Sequence, residues 1–280
     1  MTTPPDLVDR TALALHRRRA ARRPDLFLHD AVADEAEERL NEVNRTFTAP
    51  AVVTPWPDVW RRRLPAAVLV ADDDVLDLRP ESHDLVIHAL CLHWANDPVG
   101  QLVQARRALR PDGLMLCATL GGGTLGELRA ALAAAEAEVT GGLSPRVLPM
   151  GEIRDLGGLL QRAGFALPVA DSVRVRASYD GLAKLARDLR AMGEQNALGA
   201  RRRQTPPRRL FAETERLYRA AYPTEGDRVL ATFEVVWLTG WAPGPGQQQP
   251  LRPGSASARL ADALGTEERP TGDRTGPRRV

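Results

Sequence analysis

Three stretches carry side chains that could do chemistry. The first is Asp72-Asp73-Asp74, which follows the apolar run Ala66–Val70. A carboxylate at the end of a strand can meet a ligand hydroxyl or amine, and three in a row are equally an acidic turn in water. The second contains His83, His88 and His93, five residues apart, a spacing that suits neither one helix face nor one strand face and gives no zinc set. His88 reads as a core or rim histidine. His93 and Trp94 sit just past a strand-like run, where open α/β sheets bind ligands, so they are candidates to line a substrate mouth. A residue packed as a cap on the following helix is the competing reading. The third stretch is "GGGTLG", in which Gly121, Gly123 and Gly126 satisfy G-x-G-x-x-G. A dinucleotide fingerprint also needs an acid about 20 residues on, at the next strand's end. Glu136 and Glu138 lie inside a helix instead, and Gly-Gly-Leu-Ser-Pro follows, so a permissive turn is the better reading. No G-x-S-x-G elbow or Walker loop is present.

The elements that would position these groups alternate along the chain. Helices are expected over 5–23 and 30–43, then a short strand at Ala51–Val53, a turn of helix near 57–63 and a strand at Ala66–Val70. "DLVIHALCL" (84–92) is a nearly unbroken apolar run, the pattern of a parallel strand buried on both faces. Asp97 and Pro98 open the next helix as N-cap and N1. "RPDG" turns the chain into a further strand, 114–119, after which Thr124 is expected to cap a helix stopped by Gly141-Gly142. A helix to Ala163, an alternating strand at 167–177, helices near 180–192 and 207–221 and a strand at 229–239 complete the order. This is a doubly wound α/β sheet, mostly parallel, with a late antiparallel pair. The expected organisation is N-terminal helices to 45, an α/β domain over 46–243 with a helical insertion at about 180–222, and a disordered tail over 244–280.

Composition excludes several classes. The net charge of +2 over 280 residues is too weak to imply a nucleic-acid partner. Lys184 is the only lysine, and the clusters Arg17–Arg19, Arg61–Arg63 and Arg201–Arg203 are read as solvated faces. Apolar runs are too short for an integral membrane segment. Cys91 and Cys117 lack CxxC spacing and read as buried thiols in a reducing compartment, with no secretory signal, so a cytoplasmic location is expected.

"LHWANDP", "GGGTLGELR" and "DLRAMGEQN" are more specific. With "RPDG" and "ATFEVVWLTGWAPG", they make residues 30–243 resemble the class I S-adenosylmethionine-dependent methyltransferases. The closest likeness is to the branch holding the methyltransferase-like assembly factor of respiratory complex I. The malonyl-carrier-protein methyltransferase of biotin synthesis is a more distant cousin. The resemblance implies a Rossmann-like methyltransferase sheet, S-adenosylmethionine as cofactor, and assembly or modification of a complex I subunit as the role. Active methyl transfer to a small molecule or protein is the alternative. It leaves Asp72, Asp73, Leu90 and His93 as cofactor-facing positions, His93 and Trp94 as substrate-facing ones, and no catalytic residue.

In that family an Asp closing the third strand lies twelve residues before the Asp opening the fourth, as Asp72 precedes Asp84. The glycine-rich loop, a second strand with its ribose-binding acid and two helices must then fit between Leu40 and Val68. They need roughly twice the residues available. The first βαβ unit is therefore truncated, with "TPWP" (54–57) where the cofactor loop belongs. Hydrogen bonds to charged groups contribute ~1.5–3 kcal/mol each, so losing two anchors impairs cofactor binding or abolishes it. An open cavity above 51–53 would favour a cofactor, whereas one filled by Trp56 would argue against it.

Overall fold

The strands all enter one sheet in a computed structural model that describes residues 6–247. The chain divides into a unit ending at Pro245 and a second beginning at Gly246, and the tail expected over 244–280 lies, from residue 248 on, outside the described residues. Two helices come first, α1 (Arg10–Ala20) and α2 (Phe27–Glu42). Then follow β1 (Pro50–Val53), α3 (Pro57–Arg63), β2 (Val68–Val70), β3 (His83–Ala89), α4 (Pro98–Ala108) and β4 (Leu109–Leu120). The second half holds α5 (Gly126–Thr140), α6 (Ile153–Arg162), β5 (Ala166–Tyr179), α7 (Leu182–Ala191), α8 (Arg208–Ala221), β6 (Pro223–Thr224) and β7 (Arg228–Trp241).

The sheet order is β2-β1-β3-β4-β7-β5. The first four strands are parallel, and β7 joins β4 and β5 antiparallel. This is the mostly parallel Rossmann-like sheet with a late antiparallel pair that the alternation of elements predicts. Every residue of β1 and β3 is buried, as a strand covered by helices on both faces must be. At the N-terminal end of β3, Asp84 accepts N–H bonds from Thr48 (2.6 Å) and Ala49 (2.9 Å) and so pins the chain entering β1.

The shortened half is visible as missing pieces. The strand at 68–70 pairs directly with β1, with no strand between them. Only the two-turn helix α3 connects the two, held by Trp60, which is 1% exposed. Between β2 and β3 the chain crosses β1 without a helix. Its backbone polar groups find side chains of α4 instead: Gln101 donates to Asp73 O (2.7 Å), Gln104 donates to Asp74 O (3.0 Å), and Gln104 accepts from Leu76 N–H (2.8 Å).

Two expectations are corrected. Thr124 does not cap α5; Leu125 takes that position at φ +52°, and the Thr124 hydroxyl bridges to β7 through Glu234 N–H and C=O. Arg17, expected on a solvated face, is only 13% exposed. Gly141 does end α5 in a left-handed cap at φ +70°. Replacing Trp60 with Ala is expected to destabilise the chain by about 3–5 kcal/mol. Urea unfolding followed by circular dichroism measures this, and a loss under ~1 kcal/mol would show that α3 does not anchor this edge.

Candidate functional site

Ligands of open α/β sheets bind where parallel strands end, and here those ends are Val53, Val70, Ala89 and Leu120. After Val53 a cofactor loop would offer backbone N–H donors. Thr54 N–H is bonded to Val70 O (2.9 Å), Trp56 N–H to the Thr54 hydroxyl (3.1 Å), and Pro55 and Pro57 have none. The Trp56 indole turns inward, 7% exposed, edge-on to His29 with ring centroids 6.2 Å apart. The "GGGTLG" turn is equally committed. Gly121 N–H bonds to Glu234 O, Gly122 N–H to Gly151 O and Gly123 N–H to the Glu234 carboxylate, all within 3.0 Å. A Cβ at Gly122 would lie 2.4 Å from Glu152 Oε1, so a larger residue there would have to displace that exposed side chain.

Asp72 is the most constrained acid at this edge. Both its oxygens accept from Arg17 Nη1, at 2.7 and 2.8 Å, and Arg10 approaches Oδ2 at 3.6 Å. Asp73 is exposed and contributes its carbonyl to Gln101. Leu90 is buried at φ +49°, its N–H bonded to Ala118 O. A small niche of about 360 Å³ remains between α1 and the ends of β1 and β2, touched by Arg10, Arg17, Thr54, Pro55, Asp72 and Asp73.

His93 and Trp94 sit on a short 3-10 turn, Leu92–Trp94, after β3. Both donate to one oxygen of Glu194: Trp94 Nε1 at 2.7 Å and His93 Nε2 at 3.2 Å. Burial alone would raise the Glu194 carboxyl, and His93 followed by Arg17 pulls it below its ordinary value. Gly193, at φ +79°, lets this segment close on α1, since a Cβ there would meet Arg17 Cγ at 2.9 Å. The structure thus joins His93 and Trp94 to Glu194, and Asp72 to Arg17, with Gly193 packed between. Asp73 and Leu90 stay outside these contacts.

Arg17, His29 and Glu194 are the site residues that residue-by-residue reading misses. Glu194 lies inside "DLRAMGEQN", which was the available signal. Arg17 is hidden among arginines of similar spacing.

No metal-holding cluster of His, Cys, Asp and Glu occurs among the described residues. Burial pushes the thiols of Cys91 and Cys117 up, so neither is a nucleophile near neutrality.

Residues 32–117 match the family described as a methyltransferase domain. The chain is methyltransferase-like. It is 37% identical over 199 residues to the arginine-hydroxylase NDUFAF5, mitochondrial, of Danio rerio, covering 71% of this chain and 62% of that protein. The human protein of that name is 36% identical over 199 residues, 71% of this chain and 57% of its own length. A malonyl-[acyl-carrier protein] O-methyltransferase of Laribacter hongkongensis is 37% identical over 190 residues, 67% and 61%. The chain therefore spans about three-fifths of the length of these curated relatives. Among solved structures, the YcgJ protein of Bacillus subtilis aligns at a TM-score of 0.47 and 9% identity, over 74% of this chain and 97% of that one. No described helix is long and apolar enough to cross a membrane.

The methyltransferase match makes S-adenosylmethionine the candidate cofactor, and the residues after β1 do not fit it well. The turn has no free N–H donor, Trp56 is folded into the core, and Asp72 is fully paired. The same buried region sets a pH response. Burial lowers His29 and His88 to about 4, so both are neutral in the folded chain and take up protons near pH 6.5 only on unfolding. Their contribution is complete above pH 6.5 and lost as pH falls towards about 4. Thermal unfolding between pH 7 and 4 should show a midpoint that falls steadily through this window, and a flat profile would contradict the assignment.

Proposed function

We propose that this chain is a methyltransferase-like binding protein, impaired in S-adenosylmethionine binding. It would act in the cytoplasm in the assembly or modification of a respiratory complex I subunit. One observation carries the reading: between Val53 and α3 every backbone N–H is either bonded within the protein or absent because the residue is proline. A cofactor approaching that turn would lose hydration without gaining donors, and unpaired buried polar groups cost about 1–3 kcal/mol each. The likeness to proteins named arginine-hydroxylase supports a protein side chain as the group acted on or held. The insertion around α7 and α8 supplies a surface for such a partner.

A second reading keeps an active S-adenosylmethionine-dependent methyltransferase acting on a small molecule or a protein. The niche beside Asp72 and Asp73 favours it, because a ligand displacing Arg17 would find a carboxylate there. Methyl transfer in such a site would rest on positioning and desolvation. Calorimetric titration with S-adenosylmethionine separates the two. The binding-protein reading expects no saturable heat up to about 1 mM ligand, and micromolar affinity would overturn it.

A further inference from the structure

Glu194 lines a cavity much larger than the niche. That chamber holds about 840 Å³, opens to solvent and is bordered by α5, α7, α8 and the segment 146–150. Leu28, Leu120, Leu128, Leu148, Leu182 and Phe233 form its interior, each no more than 9% exposed. A concave apolar cleft of this size is the form a small-molecule binding site takes.

Chemistry on its wall narrows the occupant. Most polar groups on the wall are already bonded, the second oxygen of Glu194 being an exception. Thr124 is tied to Glu234, Arg146 to Glu136, Glu194 to Trp94 and His93, and Glu215 to Leu182 N–H and Arg219. A peptide backbone entering there would leave its own N–H and C=O groups unpaired, which disfavours a polypeptide occupant. A hydrocarbon chain loses nothing by entering. The exposed lining charges that no described ion pair engages are positive. Arg187 and Arg190 border the chamber one turn apart on α7, both exposed, and no ion pair among the described residues engages either. Two guanidinium forks so placed match a carboxylate in shape and charge.

We propose that the chamber binds a single-chain amphiphile with a carboxylate head, of fatty-acid type, with its tail among the leucines and its head between Arg187 and Arg190. This binding is separable from that of S-adenosylmethionine at the niche, because the two cavities share no lining residue.

The test is calorimetric titration of the full chain with sodium octanoate, decanoate and dodecanoate below their micelle concentrations. Saturable binding of one dodecanoate per chain is expected, tightening about fourfold per added methylene. Dodecyltrimethylammonium should bind at least about tenfold more weakly than dodecanoate. The double variant Arg187→Gln/Arg190→Gln should weaken dodecanoate about tenfold while leaving dodecanol unchanged. Ala186→Trp, which places an indole in the chamber, should abolish both, and circular dichroism reports whether it folds. The arginine variants change exposed positions only, so they keep the test decisive if Ala186→Trp does not fold. Absence of saturable heat, affinity independent of chain length, equal binding of the cationic amphiphile, or no effect of the arginine variants would each overturn the proposal.

Discussion

A guanidinium and a carboxylate taken out of water must find each other, and Arg17 and Asp72 do so at the C-terminal edge of the sheet. Their side chains are 13% and 9% exposed, so removing either leaves a buried charge without its hydrogen-bonded partner, Asp72 keeping only Arg10 at 3.6 Å. The pair fixes much of what surrounds it. It draws α1 against the ends of β1 and β2 and takes both oxygens of the acid that a ligand would otherwise meet. Its position also depends on Gly193, because any side chain there would collide with Arg17. Gly193 in turn delivers Glu194 to His93 and Trp94. These contacts lie between a small niche at the strand ends and a large apolar cavity that shares no lining residue with it.

The truncated βαβ unit explains how this edge of the sheet is closed. A strand that ends a parallel sheet needs a neighbour on one side and cover on both faces. The three-residue β2 supplies the first, and α3 with Trp60 part of the second. The turn between them is then free of any duty to present donors, and prolines and a buried tryptophan can fill it. In a sheet of this type the ends of the strands remain the one concave edge. What the chain has changed there is the supply of hydrogen bonds, which now run between protein groups.

The fold was readable from the chain because its signals are local and strong. The continuous apolar run of β3, Asp97 and Pro98 before α4 and Gly141 after α5 each act within a few residues. Alternating strands and helices then restrict the arrangement to a parallel sheet. The site was less legible, since its parts are held by contacts far apart in sequence. Arg17 meets Asp72 across 55 residues and Trp94 meets Glu194 across 100, and no local pattern distinguishes Arg17 from its neighbours. Thr124 shows the same limit. Its type and place suit a helix cap, yet β7 lies close enough to compete for its hydroxyl. "TPWP" was informative for the opposite reason, because the loss of N–H donors at proline is a property of the residue itself.

The Arg17–Asp72 pair is an interior interaction that organises this edge. A double-mutant cycle of Arg17→Met and Asp72→Asn, read by urea unfolding, measures it most directly. Each single variant should lose about 3–5 kcal/mol, and the coupling between them should reach about 2 kcal/mol or more. A coupling of about 0.2–1 kcal/mol, the range of an exposed ion pair, would contradict the account.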